Sequence, residues 1–337
     1  VPTKILARCM ELACPLLSNG RRDYPPIRSF KSVCRAWYSV CRDTGQFWTH
    51  YNLDATKKRT SEELYVLVWE AVTWLGRSAP DALPVSLTLS VRAEYAQNEW
   101  ILIMLHGLSV RLVDLELRFE VDFPEELDHI YHCFCEDSAD NRTPVVWHKL
   151  ENLKLSIIYP FHRTDIESKP HLAVIFRDHE RTFPKLTSFS LSSPHIPFDP
   201  WPLGWERLRH LSLGPLHTFH SSQYLEVLRS CRDIETCSLT FQRATWVSPR
   251  IPETIIPPII LIILPHLTKL VLQVAESADD KVAAINVLAP LIVDALKTFV
   301  YAVDGPQRTS SNISQNCSVV HEHPSSGWNS TSSTTLD

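Results

Sequence analysis

The sequence predicts an α/β protein in which a small N-terminal helical module precedes an irregular array of short strands and helices. Three observations predict it. Apolar residues recur at helical spacing over roughly the first 75 residues, an apolar strand template recurs through most of the rest, and the last stretch is poor in large apolar side chains. The chain has 337 residues with 44% hydrophobic and 21% charged, enough apolar mass for a large core.

Helical signals come first. Pro2 opens a segment with Ile5, Leu6, Cys9 and Leu12 on one side. After a polar break from Ser18 to Tyr24, Pro25-Pro26 opens a second helix that sets Ile27, Phe30, Val33, Cys34, Trp37 and Cys41 on one stripe. A turn at Thr44-Gly45 leads to Phe47-Trp48. A further helix follows, with Ser61 as its cap, Glu62 and Glu63 in its first turn, and Leu64, Leu67, Val68, Ala71 and Leu75 on its buried face.

The stretch "VPTKIL … FKSVCRAWYSVCRDTGQFWTHYNL" resembles the F-box motif of fungal-type F-box proteins, whose pattern is L-P-x-E-I-L, a gap, V-C-R-x-W and then L-W. The resemblance covers residues 1–54, with Pro2, Ile5, Leu6, Val33, Cys34, Arg35, Trp37 and Trp48 at the motif positions. Lys4 stands in place of the usual Glu, Val1 in place of Leu, and "SNGRRDYPP" lengthens the gap. The resemblance implies docking on a Skp-family adaptor and, through it, a cullin scaffold. Without the motif, the same helices are an ordinary hairpin packing on its own domain.

A second pattern runs through residues 55–304. With Leu153 as origin, apolar residues sit at −6, −3, 0 and +2, namely Trp147, Leu150, Leu153 and Leu155. Five further copies have origins at Phe189, Leu211, Cys237, Leu270 and Phe299, and weaker copies centre on Leu87 and Leu115. The intervening stretches hold helical patterns such as Tyr224, Leu225 and Leu228, or Leu172, Ile175 and Phe176. The array resembles degenerate leucine-rich repeats, which implies a leucine-rich-repeat-like solenoid with its strands on the inner face. The family's Asn after the strand is missing, and Pro194 and Pro215 occupy that region. An open α/β sheet of unrelated topology carries the same alternation. Residues 305–337, rich in Ser, Thr and Asn, are expected to be disordered.

Function classes narrow accordingly. Only 8 Gly occur, where average usage of about 7% would give about 24. The phosphate-cradling and nucleophile-elbow motifs G-x-G-x-x-G, G-x-x-x-x-G-K-[ST] and G-x-S-x-G are missing. The net charge of −5 is uneven: residues 1–60 hold 11 Lys/Arg and 4 Asp/Glu, an excess of 7 that suits an acidic protein partner better than nucleic acid. Nine Cys at scattered spacings, with no signal-peptide or membrane-spanning pattern, point to reduced thiols in the cytoplasm or nucleus. The chain begins with Val rather than Met, so residues upstream are expected. The cluster His129, His132, Cys133 and Cys135 lacks a well-separated second ligand pair, and His321-Glu322-His323 falls in the tail, so no metal or other cofactor is expected.

The expected role is that of a non-enzymatic, substrate-recruiting subunit of an SCF-type ubiquitin ligase, with no nucleic acid or membrane as partner. The substrate is an unidentified protein. Its contact surface is expected on the outward strand positions, including Asn152, Lys154, Ser190, His210, Ser212 and Ser238. A repeat scaffold unrelated to ubiquitination and a hydrolase with an unrecognised site are the alternatives.

Overall fold

The computed structural model describes residues 2–14, 29–30, 32–57, 59–78, 83–122, 126, 130, 133–138, 141–158, 182–193, 205–216, 221–241, 261–275 and 277–304. The described helices are α1 (Thr3–Ala13), α2 (Arg35–Asp43), α3 (Ser61–Gly76), α4 (Glu99–Leu108), α5 (Ser221–Ser230) and α6 (Ala278–Leu288). The strands run β1 (His50–Ala55), β2 (Val85–Arg92), β3 (Leu112–Glu120), β4 (Cys135–Ser138), β5 (Asn141–Pro144), β6 (Asn152–Ile158) and β7 (Ser188–Ser193). They continue as β8 (His210–Leu216), β9 (Thr236–Phe241), β10 (Ile262–Ile263), β11 (Lys269–Ala275), β12 (Leu291–Ile292) and β13 (Thr298–Asp304).

Nine strands form one sheet in the order β1-β2-β3-β6-β7-β8-β9-β11-β13, and every pairing in it is parallel. Pairs β10-β12 and β4-β5 stand outside it. The molecule is thus an α/β fold with a nine-stranded parallel sheet flanked by helices. This corrects the expected architecture of a helical F-box module followed by a leucine-rich-repeat-like solenoid. The periodicity misled for a physical reason. A template of 0 and +2 apolar positions reports strands buried on one face, and any helix-covered parallel sheet produces it.

The template nevertheless has a structural cause. In several copies the −3 residue closes a turn on the −6 carbonyl, as Leu150 N–H does on Trp147 and Leu208 N–H on Trp205. The carbonyl at −2 then receives the N–H groups at −2 and −1 of the next copy. Glu151 accepts from Thr187 and Ser188, Thr187 from Arg209 and His210, and Arg209 from Glu235 and Thr236. The pattern continues through Glu235 and Thr268, which accepts from Lys297 and Thr298. Turn and first ladder bond are therefore set together, which fixes the register of each strand on the last.

One strand escaped the sequence reading. Gly45, Trp48, Tyr51 and Leu53 occupy the −6, −3, 0 and +2 places of β1, and all four are buried. Trp48 is 0% exposed; its indole N–H donates to the Cys41 carbonyl at 2.8 Å, and its ring meets Trp74 edge-on at 4.5 Å. The Arg77 guanidinium lies 4.3 Å from the Trp48 ring centre. The end of the F-box-like segment is thereby built into the same core as the sheet.

Two local expectations also change. The second helix is not continuous: Ser32 and Val33 lie in a turn, Cys34 is extended (φ −163°, ψ 172°), and α2 starts at Arg35. Ser32 competes locally, its hydroxyl donating to the Ser29 carbonyl at 2.7 Å. At α3 the cap is Thr60, one residue before Ser61, in a reciprocal capping box with Glu63. The helical pattern at Leu172–Phe176 and the tail 305–337 lie outside the described residues.

Candidate functional site: a polar sheet face and an exposed helical surface

Helices cover the sheet face that carries the template residues. Tyr224 of α5 packs on Phe241 with ring centres 4.9 Å apart, and Trp74 of α3 packs on Tyr51 at 5.9 Å. The opposite face carries the polar residues, and strand register aligns them in rows. One row reads His50, Ser86, Asp114, Asn152, Ser188, His210, Thr236, Lys269 and Thr298. The next reads Asn52, Thr88, Glu116, Lys154, Ser190, Ser212, Ser238, Val271 and Val300. The six sequence-selected positions fall on these two adjacent rows, Asn152 and His210 on the first, Lys154, Ser190, Ser212 and Ser238 on the second.

The face has two chemical halves. Across β2, β3 and β6 the side chains are charged and mutually engaged. Glu116 lies 2.7 Å from Arg118 and 2.9 Å from Lys154. Burial pushes the Glu116 carboxyl up, but hydrogen bonds and charge from Lys154 and Arg118 outweigh it and leave it below its ordinary value. Asp114 accepts from the Ser86 hydroxyl at 2.7 Å and from the Asn152 amide. Asn152 and Lys154 are thus already committed to neighbours, which a partner must share or displace.

Across β7, β8, β9 and β11 the surface turns hydroxyl-rich. Ser188, Ser190, His210, Ser212, Thr236, Ser238, Lys269 and Val271 surround an open depression of about 310 Å³. His210 Nδ1 sits 2.8 Å from Thr236 Oγ1, which leaves Nε2 as the ring's other hydrogen-bonding atom. Thr240 donates to Gln273 at 3.1 Å. Further along these strands β8 presses on the β7 bulge: a Cβ on Gly214 would stand 2.9 Å from Ser192 Cβ and Oγ, so only Gly fits. The rows on these four strands place no carboxylate beside His210 to orient it as a base.

The helical surface at the other end presents a different chemistry. Ile5 is 54% exposed and Val33 59%, and Pro2, Cys34 and Arg35 are also exposed. Leu6 is half-buried against the core through the inner side of α1, where Met10 is buried, and Cys14, just past the helix, is buried too. Trp37 is half-buried, its ring 5.5 Å from Phe30 in an edge-to-face pair. Trp48 alone of the eight motif positions is wholly interior, so it supports this surface without reaching it. The residue type at a motif position leaves interface and support both open, and burial depends on the strand that follows.

His129 and His132 lie outside the described residues, and Cys133 is buried with its thiol pushed up to about 12 by desolvation. Burial likewise raises Cys237 to about 12 and raises Cys231. Among the described residues no group of three metal-ligating side chains is found, and no helix is long and apolar enough to cross a membrane. No protein-family model matches the chain, and no curated protein matches its sequence.

Proposed function

We propose that this chain is a non-enzymatic substrate-recruiting subunit of an SCF-type ubiquitin ligase. Its N-terminal helices, which resemble an F-box, dock on a Skp-family adaptor and through it on a cullin scaffold. The polar sheet face holds a protein substrate. Tethering a substrate near the conjugating enzyme raises its effective concentration without any chemistry by the tether itself. The observation that carries the proposal is the exposure of Ile5 and Val33 at motif positions: two large apolar side chains stand in solvent on an N-terminal segment with a basic excess. The hydroxyl-rich depression around His210 supports a polar, hydrogen-bonded substrate contact.

The test is co-purification of the full chain with a Skp-family adaptor. Wild type is expected to bind at micromolar concentration or tighter. The double substitution Ile5→Asp and Val33→Asp removes only solvent-exposed apolar groups and is expected to weaken binding at least tenfold with the melting temperature unchanged. A folded wild type that does not bind at about 100 µM, a concentration marking an affinity weaker than about −5.5 kcal/mol, overturns the proposal. The chain would then be an interaction scaffold outside ubiquitination.

A further inference from the structure

The last copy of the strand template differs from the five before it. At the 0 and +2 positions of β11, Leu270 and Leu272 are buried. At the corresponding positions of β13, Phe299 is only partly buried and Tyr301 is 37% exposed, and Val303, next on that side, is 44% exposed. The −6 and −3 residues, Val293 and Leu296, are half-buried too. Among the described residues β13 pairs with β11 alone, and its other edge carries no strand.

Backbone direction on that edge follows from one hydrogen bond. Thr298 N–H donates back to Thr268 at 3.0 Å, so the N–H groups of Val300 and Ala302 also point toward β11. Those of Phe299, Tyr301 and Val303 then face the open side. An open strand of this length with apolar side chains is a template for another strand. From Thr298 through Val303 it carries neither charge nor proline, the usual guards against pairing.

We infer that this edge is a self-association surface, on which β13 of a second copy pairs antiparallel about a two-fold axis at Tyr301. Three features select a second copy. First, the register is self-consistent: Tyr301 faces Tyr301 and Phe299 faces Val303, and these are the residues whose N–H groups point outward. Each such pair exchanges both hydrogen bonds, as antiparallel pairing requires. Second, a two-fold axis normal to the sheet keeps the helix-covered faces on one side, so the under-buried Phe299, Tyr301 and Val303 cover one another. Third, charges are compatible. From Thr298 through Val303 the strand carries no charge, so this register sets no like charges opposite each other. The inference is independent of the proposed ligase role.

Sedimentation equilibrium of the full chain tests it. At about 50 µM, a concentration suited to detecting micromolar association, the expected mass is twice 38.6 kDa. Tyr301→Lys sets like charges opposite each other at the two-fold axis and is expected to raise the dimer dissociation constant at least tenfold. Tyr301→Pro removes an outward N–H while sparing the bonds to β11, and gives a monomer; Tyr301→Phe leaves the dimer intact. A monomeric wild type overturns the inference, and so does a Tyr301→Lys protein that is folded and still dimeric. Thermal melting of each variant separates lost pairing from lost folding.

Discussion

The two ends of the nine-stranded sheet are finished in different ways. At the β1 end the chain supplies its own cover: Trp48 lies beneath the strand, Trp74 of α3 packs against it, and Arg77 closes over the indole. At the β13 end the same template places leave Tyr301 and Val303 partly in solvent. Edge strands expose unpaired polar backbone, so an end without a cover depends on charge, proline or a partner. The contrast teaches that equal sequence patterns carry unequal energies. A template position stabilises only as far as its neighbour on the next strand buries it.

Substitutions at matched positions sharpen this contrast. The largest effect is expected from Trp48→Ala at the covered end, about 3–5 kcal/mol of lost stability, because it empties a wholly buried indole site and removes the hydrogen bond to the Cys41 carbonyl. Urea unfolding measures it, and a loss below about 1 kcal/mol, the scale of a surface change, would show that the cover is not integral to the core. Next come two +2 positions one strand apart. Leu272→Ala should cost about 2–5 kcal/mol, whereas Tyr301→Ala, measured in dilute protein, should cost markedly less. Equal costs would remove the distinction between the interior and the edge of the sheet.

The smallest effect concerns the charged half of the polar face. The folded-state value of Glu116 is lowered, so its contribution to stability is present above the ordinary carboxylate value. It is lost as pH falls through the folded value. Glu116→Gln should therefore be slightly less stable than wild type at pH 7, with the gap closing in acid, as unfolding midpoints at the two pH values would show. Lys154 and Arg118 are about half exposed, which keeps the effect small. A gap that is unchanged in acid would mean that Glu116 acts through packing alone.

How much of this was legible in the sequence depends on the range of the forces involved. The helix at Ser61–Gly76 was legible because capping and amphipathic spacing act within a few residues. The six polar-face positions were legible because side chains alternate along a strand, so their shared face follows from spacing. Their grouping into two rows was not, since it rests on bonds such as that of Thr187 and Ser188 to Glu151, many residues apart. The break before Cys34 was missed because a local hydroxyl bond at Ser32 outweighed a helical stripe that looked continuous. β1 was not legible although Trp48, Tyr51 and Leu53 fit the template, because a six-residue strand is fixed by its pairing with β2, more than 30 residues away, and not by its own spacing.

By itself, then, the sequence determined where turns close and which side chains alternate, since both follow from local backbone geometry. It also determined the shortage of glycine that leaves phosphate-cradling loops without material. Tertiary structure alone decided that Trp48 is interior, that Ile5 and Val33 are not, and that the sixth template copy is only partly buried. Burial is a property of neighbours, and a strand's neighbours are chosen by pairing across the sheet rather than along the chain.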